Sequence, residues 1–285
     1  MASLLALGSA ALYGAADFLG GFASRRTNTL AIVVTSQCTG LALLALLLPL
    51  LPEAAPSTRD LAWGGVAGLT GGVGITLLFR ALAVGRMAVV APTTAVCSVM
   101  IPVATSVLLG ERLGGPALLG IALAIVAIVL VSRQGTATSP SVRAGALPPG
   151  VGLALPAGVA IGLFFLALAE TDAQAGMWPL VAARAVSVTL LSVLARLGGR
   201  PLRMATPTAR IAIASGALDM SANALYLLAT RYGPLSVAVT LSSLYPASTV
   251  ILARVVLGEH LNGWQVAGVA CALLAVALIV GGSGL

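Results

Sequence analysis

Ten apolar runs, each near the length that crosses a bilayer, constrain this chain more than any other feature of it. A membrane-crossing helix needs roughly 20 mainly apolar residues. Runs of that kind lie near 3–24, 30–51, 60–83, 87–109, 114–133, 148–169, 177–197, 209–230, 234–257 and 263–282. The connections at 25–28, 51–60, 110–115 and 170–176 are short, and they hold much of the charge and the turn-forming residues. The longest polar stretch, 132–150, is rich in Ser, Thr, Pro and Gly and reads as a linker. No polar segment is long enough to fold alone. The expected fold is an all-α integral membrane protein with ten transmembrane helices. Residues 1–135 form one five-helix unit, 136–147 the linker, and 148–285 a second unit.

Composition points the same way. Apolar residues make up 59% of the chain and charged residues 8%, against about 45–50% and 25% in soluble domains. The net charge of +7 comes from fifteen basic residues, all arginine. They are scattered singly or in pairs between apolar runs, as head-group anchors are. There is no basic stripe with interleaved aromatics, so nucleic acid is excluded as a partner. Cys38, Cys97 and Cys271 all fall inside apolar runs, which argues against disulfides and structural zinc. With one histidine in the chain, neither a metal site nor a cofactor is expected. The first run continues to Arg25-Arg26 and reads as a retained helix rather than a cleaved signal.

The halves repeat. A shift of 148 residues lays Leu109-Gly110-Glu111 on Leu257-Gly258-Glu259, Leu113 on Leu261 and Gly115 on Gly263. It also lays Gly14 on Gly162, Ala81 on Ala229 and Gly85 on Gly233. A unit of five crossings is odd, so a second copy enters the membrane from the opposite side. Inverted repeats of this sort suit transport by alternating access.

Three motifs carry a family resemblance. The first helix holds Tyr13-Gly14…Phe18. An A-x-x-x-G turn recurs at Ala81–Gly85 and Ala229–Gly233. A proline precedes each L-G-E-x-L turn: Pro246 stands thirteen residues before Glu259, while Ser98 holds that spacing in the first half and Pro102 follows a turn later. Over essentially its whole length the chain resembles the EamA-type branch of the drug/metabolite transporter superfamily. The run YGAADFLGGFASRR at 13–26 is similar to a subgroup with an acid in its first helix. The resemblance implies a ten-helix secondary transporter in the cytoplasmic membrane, with a cavity lined by helices 1, 3, 4, 6, 8 and 9. Its partners would be a small metabolite or drug-like solute, protons and the lipid bilayer, with the protein a monomer or homodimer. Transport in the family is often outward and often proton-coupled.

Ionisable groups inside hydrocarbon cost at least about 2.5–3.5 kcal/mol each, so each needs a reason. Asp17 lies in the first run and Asp219 in the eighth, and a carboxylate away from water can be contested by a proton or another cation. Arg184, deep in the seventh run, either pairs with a carboxylate or receives an anionic group of the solute. Arg80 and Arg254 sit nearer the ends of their runs, where snorkelling suffices. Asn223 and Tyr226 share a helical face with Asp219; Gln37, Ser98 and Tyr245 are further polar candidates. Glu111 and Glu259 stand at the membrane edge, where a capping or hinge role is expected. Glu170 and Asp172 read as solvated loop charges. Gly68 and Gly72, at four-residue spacing with Gly64, permit close helix packing or a hinge. Pro92, Pro102, Pro156 and Pro246 can kink their helices.

Other classes find less support. A membrane enzyme lacks HExxH, GxSxG or DxD, an ATP-driven pump lacks a Walker motif, and a channel does not call for an inverted repeat with sparse buried acids. Orientation stays open. Nine arginines fall in odd-numbered connections and three in even-numbered ones, which places both termini outside; the family resemblance implies both inside.

Overall fold

The computed structural model describes residues 1–51, 54–108, 114–132, 148–232, 238 and 241–282. Ten α-helices are delimited there: α1 (Ala2–Ser24), α2 (Thr29–Leu47), α3 (Thr58–Val84), α4 (Met87–Leu108), α5 (Gly115–Ser132), α6 (Val151–Ala169), α7 (Trp178–Leu197), α8 (Thr206–Tyr232), α9 (Tyr245–Leu257) and α10 (Gly263–Gly282). No strand occurs among the described residues. Seven of these helices, α1 to α4, α6, α7 and α10, are long and apolar enough to cross a membrane. Large apolar side chains such as Leu4, Leu46, Ile125, Phe165 and Val255 are exposed on the outside of the bundle. In water such a surface would aggregate; against lipid it is solvated. The protein is a multi-pass membrane protein.

Local chemistry explains where helices start and stop. Ser57 and Asp60 form a capping box at the start of α3, and the Asn28 side chain accepts from the Leu30 amide at the start of α2. Gly258 ends α9 in the left-handed region at φ 63°, a conformation that glycine adopts without penalty. The ninth run differs from expectation. A turn at Ser243–Leu244 precedes α9, and Pro246 lies in the first turn of the helix. Proline is tolerated there because that amide has no intrahelical partner. Pro246 therefore opens a helix rather than kinking one from within. Pro92 and Pro102, by contrast, lie inside α4, and Pro156 inside α6. With 13 residues, α9 spans only about 20 Å at ~1.5 Å per residue, less than the ~30 Å hydrocarbon core.

Packing is organised across the halves. Helix α1 lies on α8 and α9, α3 on α6 and α7, α4 on α6 and α9, and α5 on α10. Exchanging each helix for the one five later turns the α1–α8 pair into α6–α3, and α1–α9 into α6–α4. The 148-residue shift reappears in a contact. A Cβ on Gly14 would strike α9 at Ser248 and Thr249, and one on Gly162 would strike α4 at Ser98 and Ile101. Gly64, Gly68 and Gly72 form a seam against α7, while Gly71 and Gly74 face α6.

The connections gather at two ends. The ends of α1, α3 and α9 meet through Arg25, Gly85 and Glu259. The α2–α3 and α6–α7 connections meet through Ala55 and Gln174, and through Asp60 and Asp172.

Candidate functional site

Four helices build the polar interior. The Ser215 hydroxyl of α8 donates to the Ala16 carbonyl of α1 at 2.8 Å, and the Ser9 hydroxyl of α1 donates to the Ala222 carbonyl at 2.8 Å. The Thr249 hydroxyl of α9 donates to the Gly14 carbonyl at 3.0 Å. Gly14 makes this approach possible, because α9 leaves no room there for a Cβ. These bonds hold the middle of α1 against both α8 and α9.

On that frame Arg184 of α7 forms an ion pair with Asp219 of α8. Both are largely buried, with 16% and 26% of their side chains exposed. The Arg184 Nε is buried without a partner among the described residues. Asp17 makes no ion pair or hydrogen bond among the described residues, yet it lies close enough to Asp219 for their charges to interact. Tyr13 stands one turn before Asp17 on α1. Its ring meets that of Tyr245 edge-on, with centroids 6.3 Å apart.

The sequence candidates divide accordingly. Arg184 and Asp219 come together, and Tyr13 of α1 meets Tyr245 of α9; Asp17 stands one turn after Tyr13 on α1, and Tyr226 lies on α8. Sequence reasoning used Tyr13 only as part of a motif; its four-residue spacing from Asp17 was the available signal. Asn223 spends its amide on the Asp219 backbone carbonyl at 2.8 Å, so it braces its own helix. Gln37 on α2 is buried at 5% exposure, and its Oε1 has no partner among the described residues; its neighbours Ser36 and Gly40 abut Gly216 of α8. Thr76 and Ser98 donate to their own helices. Arg80 and Arg254 are exposed, as snorkelling requires.

Glu259 acts at a distance. Its carboxylate accepts from the Met87 amide at 3.1 Å and the Ala88 amide at 3.0 Å, the first residues of α4. A carboxylate is favoured at a helix N-terminus, where free amides and the helix dipole converge. Arg25 donates to the same carboxylate at 3.2 Å and to the Gly85 carbonyl at 3.2 Å. Beside it, Arg86 donates to the His260 carbonyl and to Gln265. Glu259 thus caps the start of α4, far from it in sequence. Arg25 is thus a structural partner and more than a head-group anchor. Glu111, the counterpart of Glu259, lies outside the described residues, as do Gly233 and the linker at 136–147.

At the other end, Glu170 pairs with Arg59 at 3.2 Å, both more than half exposed. The Asp172 amide donates to Asp60 at 2.8 Å. A cavity of about 290 Å³ is lined there by Ser57, Arg59, Asp60, Glu170, Thr171 and Asp172. Glu170 and Asp172 are both exposed, and it is the Asp60 carboxylate, through the Asp172 amide, that ties the two connections together.

The sequence profile of the EamA-like transporter family matches residues 1–133 and 148–281, one match in each half. The chain belongs to the EamA-like transporter family. A protein of known crystal structure aligns with this EamA-like chain at a TM-score of 0.51 and 18% identity, over 97% of this chain and 95% of its own. At that identity the likeness concerns the fold alone. No curated protein matches the sequence.

Proposed function

We propose that this EamA-like protein is a secondary transporter that carries a small metabolite or drug-like solute across the cytoplasmic membrane. Its ten helices cross as two inverted five-helix repeats and work by alternating access, with outward, proton-coupled transport. The observation that carries this reading is the Arg184–Asp219 ion pair among apolar helices, together with Asp17 on α1, which makes no ion pair among the described residues. A bundle gains nothing in stability by burying three ionisable side chains, because the desolvation cost rivals the attraction they recover. Their retention makes sense where a solute or proton must find a polar foothold. The mutual exchange of helix partners between the halves supports a pseudo-symmetric arrangement.

The decisive measurement is pH-driven flux of the solute in proteoliposomes. Asp17→Asn and Asp219→Asn should each lower it by more than tenfold while the purified variants keep a cooperative melt. Normal coupled flux in both variants would overturn the coupling mechanism.

A further inference from the structure

We propose that the end of the bundle where α1 and α7 finish and α8 begins is a binding surface for anionic phospholipid, held through Arg26, Arg196, Arg200, Arg203 and Arg210. The proposal does not rest on the transport reading. All five arginines are exposed, and none forms an ion pair among the described residues. The chain supplies no acid nearby, since no Asp or Glu stands between Asp172 and Asp219. Glu259, which does lie at this end, is spent on Arg25 and on the start of α4. The fold gathers the cations further. Helices α1 and α8 run antiparallel, joined by the Ser9–Ala222 and Ser215–Ala16 bonds, so Arg26 stands at the end where α8 starts.

The connection that carries four of them is a fixed platform. Gly199 closes α7 in the left-handed region at φ 60°, and the Arg200 amide donates to the Ala195 carbonyl at 2.8 Å. Leu202 and Met204 pack against the core, while Arg200 and Arg203 stay exposed. The dipole of α7 favours Arg196 in its last turn. Arg203 and Arg210 gain no such help. One precedes α8 and the other lies a turn into it, where a helix prefers anions, and the first turn of α8 holds no acid. Like charges gathered at one end repel until an anion from outside joins them. The neighbouring surface identifies the source of that anion. Val193, Leu194 and Leu197 of α7 and Ile213 of α8 are exposed apolar side chains, which suit acyl chains next to guanidiniums at head-group level. A zwitterionic head group brings an ammonium of its own and adds to the repulsion; a net negative phosphodiester relieves it. At the opposite end Arg59 is already paired with Glu170.

Lipid selectivity can be read on the whole protein in bilayers that contain phosphatidylcholine and phosphatidylglycerol in both leaflets, so that its orientation does not enter. Electron spin resonance of spin-labelled lipids should find phosphatidylglycerol favoured at the protein surface by about threefold or more over phosphatidylcholine, and less so as salt rises. The variant R196Q/R200Q/R203Q/R210Q should bring the two lipids close to parity. The charge-preserving R196K/R200K/R203K/R210K should keep the preference, and Arg59→Gln, at the other end, should leave it unchanged. If the fourfold glutamine variant folds poorly, R200Q/R203Q tests the same point with a smaller drop. Absence of a preference in the parent, its survival in the glutamine variants, or its loss in the lysine variant or in Arg59→Gln would overturn the proposal. So would displacement of the labelled phosphatidylglycerol by glycerol phosphate at matched ionic strength, which would mark a site for soluble phosphate esters instead.

Discussion

Arg184 and Asp219 show what one ion pair does inside an apolar bundle. Removing either partner leaves the other charged and out of water, a loss of about 3–5 kcal/mol for a buried pair. Arg184→Asp and Asp219→Arg should each melt well below the parent, and the double exchange should recover most of the loss in detergent melting curves. Glu259 offers a second test. With 11% of its side chain exposed, it satisfies two α4 amides and Arg25. Glu259→Ala orphans those donors and should cost about 1–3 kcal/mol. Glu170→Ala, which breaks an exposed pair, should cost less than ~1 kcal/mol. The unusual cost of Asp17, Arg184 and Asp219 was legible in the sequence, since any charge inside a twenty-residue apolar run stands out. Which acid Arg184 would choose was not. That choice depends on α2 packing against both α7 and α8, which brings Arg184 within reach of Asp219 while Asp17 lies on α1.

At the scale of the helices, the glycine spacing of α3 coincides with close approach to α7. A Cβ on Gly68 would overlap the Ala183 carbonyl and come within 2.9 Å of the Ala183 Cα, so Gly68→Ala must push α3 away from α7. Overpacking of that kind costs about 1–3 kcal/mol. Gly72→Ala meets Ser187 Cβ at 3.0 Å and should cost less. Gly152, with nothing within 4 Å, provides the contrast: in helix α6, Gly152→Ala should be neutral or stabilising by up to ~1 kcal/mol. Thermal melts of the three variants would rank them. Helix boundaries were legible to within a few residues wherever caps or turn formers punctuate the chain. The start of α9 was not, because Ser242 to Tyr245 is ordinary helix sequence in membrane proteins and the break is set by Pro246 together with its neighbours.

For the whole molecule, crossings and inversion remain to be measured. Ten crossings in two inverted units place the connection at 25–28 and its counterpart at 170–176 on opposite faces. Reporter fusions there should give opposite signals, and a C-terminal fusion should settle which face the termini occupy; matching signals from the two connections would refute the inversion. The sequence by itself determined the membrane class, the number and approximate extent of the helices, and the duplication. Those properties follow from local apolar content, since each crossing must satisfy its own backbone and lipid contact independently. Only the tertiary structure decided that Glu259 caps α4, that Arg184 takes Asp219, and that Tyr13 meets Tyr245. Those pairings join residues far apart in the chain, and they exist only once glycine seams let the helices come close enough for side chains to choose among several possible partners.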